Sequence, residues 1–195
     1  SGATLVNQIQ FTLQQIASGV GMGIVVLASQ YWGQQRIDPI KKIIGLGVKV
    51  ALALGILFFA AARVIPVPLL SLFTNDQAVI AEGVRYLHII SWTYFIFTFS
   101  NSLMYSLQSV ETAMIGTIMS VSTICINACL NYCLIFGHFG APELGVEGAA
   151  IATLVSRIVE LIIILAYVLC IDKKIRMRLR DLLRFDFTYL ADYLK

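Results

Sequence analysis

The sequence predicts an all-α integral membrane protein with five transmembrane helices, and three observations support this fold class. Hydrophobic residues make up 58% of the 195 residues and charged residues only 13%, about half the charged share of a soluble domain. The apolar residues form long continuous runs, whereas the strands of a membrane β-barrel alternate in polarity. Five of these runs reach the ~20 residues that an α-helix needs to cross the hydrocarbon layer.

The five predicted spans are separated by turn-forming or charged segments. They cover about residues 5–32, 43–62, 86–109, 112–137 and 148–171. Pro66 and Pro68 follow the second span, where proline ends a helix because it lacks a backbone donor and clashes with the preceding turn. Asp76 is a residue type that caps helix N-termini and precedes the third span. Residues 1–171 therefore form one transmembrane unit, and residues 172–195 form a separate tail.

The distribution of Lys and Arg predicts a multi-pass orientation in the plasma membrane, because these residues collect in cytoplasmic loops. Residues 36–42 contain three of them and residues 172–195 contain seven of the 14, whereas residues 138–147 contain none. Four spans separate the two basic segments, so both are placed in the cytoplasm and Ser1 outside. The tail is interpreted as a basic amphipathic linker on the inner membrane surface, with a solvated linker as the alternative.

Several function classes are disfavoured by what the sequence lacks. There is no basic groove with interleaved aromatic residues, so no nucleic-acid partner is expected. There is no GxxxxGK[ST] phosphate loop and no HExxH motif, and no aspartate lies in any predicted span, which argues against an intramembrane enzyme. Cys125, Cys129 and Cys133 share one helix face without a neighbouring histidine, which is typical of packing residues. No metal or cofactor is therefore expected.

Amide side chains are concentrated in the first span, where residues 7–15 contain five of them. An amide that faces lipid loses its hydrogen bonds to water without replacing them. Hydrogen bonds between helices are one explanation, but so many amides in so short a segment favour a water-containing cavity. The residues predicted to line a substrate cavity are Gln8, Gln14, Gln15 and Ser18.

The fourth and fifth spans carry two more pairs of polar residues. Asn127 and Asn131 lie one turn apart on one face; their amide oxygens can ligate Na⁺ or accept from a carboxyl, although spacing alone favours interhelical hydrogen bonding. Arg157 and Glu160 lie three residues apart near the middle of the fifth span. An isolated charge there costs at least about 2.5–3.5 kcal/mol, so a mutual ion pair is predicted. That pair is either a purely structural bridge or part of a site.

Three stretches resemble the multidrug and toxic compound extrusion (MATE) family of exporters. Residues 27–33, LASQYWG, resemble the end of the second helix of that family. Residues 127–137, NACLNYCLIFG, resemble its fifth helix, and residues 137–153, GHFGAPELGVEGAAIAT, resemble the junction of its fifth and sixth helices. The third stretch is the most specific of these similarities.

The resemblance implies that the five spans are family helices 2–6, most of one six-helix lobe of a twelve-helix transporter. Helix 1 and the second lobe are then missing partners of this chain, beside the lipid bilayer and a small-molecule substrate. The implied function is efflux of cationic or amphiphilic drugs or metabolites by Na⁺ or H⁺ antiport. The implied ion-coupling pocket consists of Asn127, Asn131 and Thr153 with a helix-1 carboxylate, and Asn131 is neutral where some relatives have an acid.

Two other functions remain as alternatives to drug efflux. A lipid-linked oligosaccharide flippase of the same superfamily more often lines its cavity with several cations, and Arg157 is the one cation near the middle of the predicted spans. A non-transporting membrane scaffold or an intramembrane enzyme would belong to a different class. The enzyme would need a reactive pair inside the spans, such as paired aspartates.

Overall fold

The computed structural model describes residues 2–112, 114–137 and 146–171, and these residues are almost entirely helical. The helices are α1 (Gly2–Gly33), α2 (Ile37–Val64), α3 (Pro66–Ser71), α4 (Gln77–Ile90), α5 (Trp92–Ser109), α6 (Met114–Phe136) and α7 (Val146–Ala166), which continues as a π-helical turn, Tyr167–Ile171. The described part contains no β-strand. The all-α fold class predicted from the sequence is confirmed.

Local chemistry explains where these helices begin and end. The Asp76 side chain accepts a hydrogen bond from the Ala78 amide at 3.0 Å and caps α4, as its position predicted. Pro66 opens α3 after α2 has ended. α2 begins at Ile37, earlier than the predicted residue 43, because its first turn is charged and the prediction followed the apolar run. Residues 172–195, predicted to form the linker, lie outside the described residues.

Four segments of the described chain are long and apolar enough to cross a membrane. These are Thr4–Gly33, Ile37–Val64, Met114–Phe136 and Glu147–Cys170. They match the first, second, fourth and fifth predicted spans. The third predicted span, residues 86–109, covers the end of α4 and the whole of α5, with a turn at Ser91 between them, and α5 is less apolar than the other long helices.

The polarity of α5 follows from its central position, since α5 packs against α1, α2 and α7. Its buried polar residues are Thr93, Thr98, Ser100, Asn101, Ser102, Ser106 and Ser109. Ser106 donates to the Ser102 carbonyl at 2.7 Å, and Asn101 Nδ2 donates to the Ala17 carbonyl of α1 at 3.4 Å. Because these groups are satisfied inside the bundle, α5 does not need a lipid-like surface.

The turn between α4 and α5 is held by Arg63 of α2. The His88 carbonyl accepts from Arg63 Nη2 at 2.9 Å and from Ser91 Oγ at 3.2 Å. The guanidinium carbon also lies 5.0 Å from the centre of the Trp92 ring and 5.4 Å from that of Phe59. Such cation–π contacts contribute about 0.5–2 kcal/mol each. Arg63 thereby links the end of α2 to the junction of α4 and α5.

The last two helices form a pair at one side of the bundle. α6 packs against α7 and buries only Ile115 and Met119, so most of its surface faces away from the described helices. α7 also packs against α4 and α5, and α4 packs against α1. α1, α4, α7 and α6 therefore surround a cleft, which is lined by Asn127, Asn131, Thr153 and Arg157 of the fourth and fifth predicted spans.

Candidate functional site

A cavity of about 600 Å³ lies between α1, α4, α6 and α7. Its lining residues are Asn7, Gln10, Tyr86, Thr123, Ile124, Asn127, Ala128, Asn131, Ala149, Thr153, Ser156 and Arg157. Nine of these twelve are polar or charged, although the helices that supply them are mainly apolar. Residues 123, 127 and 131 recur every four positions, and such residues share one face of a helix. The polar faces of α6 and α7 thus meet at the cavity.

A chain of hydrogen bonds crosses the cavity wall from α6 to α7. Asn131 Nδ2 donates to Asn127 Oδ1 at 2.7 Å, and Asn127 Nδ2 donates to Thr153 Oγ1 over a longer 3.5 Å. Thr153 Oγ1 in turn donates to the Ala149 carbonyl at 3.1 Å. Asn131 Oδ1 is buried and has no hydrogen-bond partner among the described atoms. The structure thus brings together the three residues that the sequence assigns to one pocket.

Close backbone contact allows this meeting of α6 and α7. A Cβ atom placed on Gly148 would lie 2.8 Å from the Leu134 carbonyl oxygen, which is closer than a carbon side chain tolerates. Glycine is used where a backbone must approach this closely. Gly148 therefore lets the first turn of α7 touch α6, and Thr153 reaches Asn127 from the following turn.

An intramembrane ion pair borders the same cavity. Arg157 Nη1 lies 3.1 Å from Glu160 Oε2, and Thr123 Oγ1 of α6 donates to the same carboxylate oxygen at 3.2 Å. The Arg157 guanidinium carbon lies 4.8 Å from the centre of the Phe97 ring of α5. Arg157 lines the cavity, whereas Glu160 is buried behind it and does not. The described lining therefore contains a guanidinium and no carboxylate.

The substrate-lining residues predicted in the first span are not at this cavity. Gln8 and Gln15 are exposed, Gln14 and Ser18 are half-buried, and none of the four is among the lining residues. The lining residues that α1 supplies are Asn7 and Gln10. The reason is that α1 carries amides on several faces, and its packing turns only some of them toward the cavity. Helical periodicity cannot show which face meets the neighbouring helices.

Three further lining residues were missed by sequence reasoning. Thr123 lies four positions before Asn127, and Ser156 lies three after Thr153, so the helical spacing that singled out the amides could have found both. No local sequence pattern could predict Tyr86 of α4 as a lining residue, because its place at the cavity depends on the turn at Ser91 and on how α4 packs.

Comparison with known proteins places this cavity in a family context. The MatE family model matches residues 1–133. The probable multidrug resistance protein NorM of Rhizobium meliloti (strain 1021) is 33% identical over 150 residues, which is 77% of this chain and 32% of that protein. The protein of the same name from Thermotoga maritima is 30% identical over 168 residues, 82% of this chain and 34% of its own. The chain thus spans about a third of the length of these relatives.

Solved structures show the same arrangement of helices. The MATE multidrug transporter DinF-BH superposes with a TM-score of 0.88 at 23% identity over 98% of this chain and 42% of its own. A multidrug resistance MATE family transporter of the MOP superfamily in an outward-facing conformation superposes with a TM-score of 0.82 at 22% identity, over 98% and 42% of the two chains. At these identities the similarity establishes the fold.

Proposed function

Because the chain belongs to the MATE family of membrane transporters, we propose that it takes part in the efflux of cationic or amphiphilic drugs or metabolites by Na⁺ or H⁺ antiport. The observation that carries the proposal is the hydrogen-bonded chain of Asn131, Asn127 and Thr153 at a polar cavity between apolar helices. Bonds that merely held two helices together would need no cavity beside them. No cofactor other than the coupling ion is part of the proposal.

The proposed role of the cluster is to bind the coupling ion. The Asn131 amide oxygen is buried and has no hydrogen-bond partner in the described part of the chain. Amide and hydroxyl oxygens accept hydrogen bonds or ligate a hard cation. The Ala149 carbonyl, which Thr153 already contacts, is a further oxygen in reach. In the protein of full family length, a carboxylate of helix 1 would complete the site, as the family resemblance implies, and would supply the negative charge that these neutral groups lack.

Ion binding at this cluster drives efflux only if it favours one conformation of the transporter over another. The effect of the ion on the conformational equilibrium equals its difference in binding free energy between the two states. The cluster joins α6 to α7, so a change in the distance between these helices changes its geometry. We propose that the ion favours one arrangement of this pair and that substrate favours the other, each binding from its own side of the membrane.

The proposal also includes the orientation of the chain in the plasma membrane. Ser1 is placed outside and the basic tail, residues 172–195, in the cytoplasm. The support is the concentration of Lys and Arg in that tail and in residues 36–42, together with the rule that such residues stay on the cytoplasmic side.

The experiment that tests the coupling role uses a transporter of full family length that carries these residues. Asn131→Ala and Thr153→Ala each remove one oxygen from the cluster, so about tenfold more Na⁺ or H⁺ should be needed for half-maximal efflux, equivalent to about 1.4 kcal/mol of binding free energy. Drug efflux is measured over a range of Na⁺ concentrations and pH values.

Asn101→Ala is the matched control for these variants. Asn101 is a buried asparagine that donates to the Ala17 carbonyl between α5 and α1, but it does not line the cavity. Its loss should lower stability and leave the ion dependence of efflux unchanged. If Asn131→Ala and Thr153→Ala fold and also keep the wild-type ion dependence, the cluster does not couple ions.

A further inference from the structure

Arg157 gives the cavity a charge that the proposed cation site does not explain. It is the one charged residue among the lining residues of the described cavity. The other polar lining groups are neutral amides and hydroxyls, which can donate hydrogen bonds to an anion as well as accept them. A cavity that offers one guanidinium and several neutral donors has the chemistry of a carboxylate-binding site.

The position of Arg157 places it between the two polar contacts of the α6–α7 pair. On one side, Asn127 contacts Thr153; on the other side, Thr123 contacts Glu160. Thr153 and Arg157 are four residues apart on α7 and so share one face. A group that enters the cavity and reaches the Asn127–Thr153 contact is therefore beside the guanidinium.

The described contacts of the Arg157 guanidinium allow its hydrogen-bond partner to change. Its described polar contact is a single one, from Nη1 to Glu160 Oε2, while the Phe97 ring packs against it from α5. Arginine has five N–H donors in a planar fork, and a carboxylate binds best to two of them at once. A carboxylate in the cavity can therefore form a more complete contact with Arg157 than Glu160 does.

We propose that the cavity binds a carboxylate, that this carboxylate replaces Glu160 as the partner of Arg157, and that Glu160 takes up one proton as it is released. Before the exchange the site holds an arginine cation and a glutamate anion. Afterwards it holds the same cation with the incoming carboxylate, and Glu160 is a neutral acid. A buried carboxylate without a counter-ion is strongly disfavoured in a low-dielectric interior, and protonation removes that cost. One carboxylate and one proton bind together, so the net charge of the site does not change.

Among the described groups that surround Glu160 and the cavity, Arg157 is the charged partner in this exchange. α5 contributes the Phe97 ring and α6 contributes Thr123, neither of which titrates. α4 contributes Tyr86, a phenol that is neutral near pH 7. Thr123 can keep its hydrogen bond to Glu160 in either protonation state, because a hydroxyl both donates and accepts.

The carboxylate has two possible sources that share this chemistry. One is a free organic acid that enters the cavity; the other is an acidic side chain of the protein of full family length. The exchange is proposed at Arg157 and Glu160, whereas the coupling role is proposed for Asn131 and Thr153. It is tested by binding and spectroscopy on purified protein, without any measurement of efflux, so the two proposals can fail separately.

The experiment uses the transporter of full family length in detergent, with benzoate as the probe. Calorimetric titration in buffers of different ionisation enthalpy should show the uptake of close to one proton per benzoate bound. Infrared spectra should show the C=O stretch of a protonated carboxylic acid appearing with benzoate, assigned to Glu160 by its loss in Glu160→Gln. Glu160→Gln should bind benzoate without proton uptake. The double variant Arg157→Met with Glu160→Leu, which keeps an apolar pair, should bind at least about thirtyfold more weakly.

The infrared signal distinguishes the two sources. A signal that appears only with benzoate identifies a free acid. A signal present without benzoate, and lost when one acidic residue outside this chain is replaced by its amide, identifies that residue as the source. The proposal is overturned if no Glu160 signal appears under either condition or if the signal survives all such replacements. Where the signal appears only with benzoate, the proposal is also overturned if benzoate binds the double variant as tightly as it binds the wild type.

Discussion

At the level of single residues, Arg157 and Glu160 show how a charge can be kept inside an apolar helix. A charge alone at this depth costs at least about 2.5–3.5 kcal/mol. Here the two charges meet at 3.1 Å, Thr123 donates to the same carboxylate oxygen, and Phe97 covers the guanidinium. Their side chains are 19% and 11% exposed, so the pair is largely shielded from its surroundings. The burial of both charges inside the helix bundle is therefore stabilised by the contacts among these four groups.

The prediction at the level of residues concerns the stability of the fold. Glu160→Gln removes the counter-ion of Arg157 and should lower the unfolding free energy by about 3 kcal/mol, as when one partner of a buried pair is lost. Arg157→Met combined with Glu160→Leu should recover wild-type stability, because two apolar side chains of similar volume need no counter-ion. Thermal unfolding in detergent measures both. A Glu160→Gln variant as stable as the wild type would show that the pair is not needed for folding.

At the level of elements, the pairing of α6 with α7 determines the geometry of the site. α6 buries only two side chains in the described structure, so its position depends on the contact with α7. The two backbones approach closely at Gly148, where the Leu134 carbonyl leaves no room for a Cβ atom. The polar contacts of Asn127 with Thr153 and of Thr123 with Glu160 follow along the same interface.

The prediction at this scale is that Gly148→Ala separates the two helices. The new methyl group meets backbone atoms, so the unfolding free energy should fall by about 1–3 kcal/mol, and the ion dependence of efflux should weaken as Thr153 moves away from Asn127. Gly116→Ala is the control: there a Cβ atom would have Met104 Sδ as its nearest neighbour, at 3.5 Å, which is ordinary contact. Equal behaviour of the two alanine variants in thermal unfolding and efflux would contradict the assignment of a close approach at Gly148.

At the level of the whole molecule, α5 is the central helix of the described bundle. It contacts α1, α2 and α7, and its small hydroxyl side chains are satisfied by carbonyls of its own backbone. The exposed surface of the long helices carries many large apolar side chains, which suit contact with lipid. Polar residues in the centre and apolar residues outside are what a helical membrane bundle requires, since exposed polar groups find no partner in hydrocarbon.

The prediction at this scale is the orientation of the bundle. On a cysteine-free background of the transporter of full family length, Gly140→Cys should react with a membrane-impermeant maleimide added to intact cells. Arg36→Cys should react only after the cells are permeabilised, because residues 36–42 carry the basic residues of a cytoplasmic loop. Comparison of the two variants, each with and without permeabilisation, supplies the control. Labelling of Arg36→Cys in intact cells would reverse the proposed orientation.

The features of this protein that depend on neighbours along the chain could be predicted from its sequence. The apolar runs predicted four of the long helices, Asp76 marked the start of a helix and Pro66 the end of one, and the spacing of Arg157 and Glu160 placed their side chains together. The three-residue cluster came from the family resemblance. Each of the local features follows from the geometry of a single helix and the polarity of its solvent, so no knowledge of the fold is needed.

Which polar residues meet depends on the tertiary structure and could not be predicted from the sequence. The tertiary structure selected Asn7 and Gln10 of α1 for the cavity instead of the predicted glutamines, and it added Tyr86 from α4. It also divided the predicted third span at Ser91 and placed the polar α5 in the centre of the bundle. The physical reason is that one helix offers several faces of similar polarity, and the choice among them depends on the packing of helices distant in sequence.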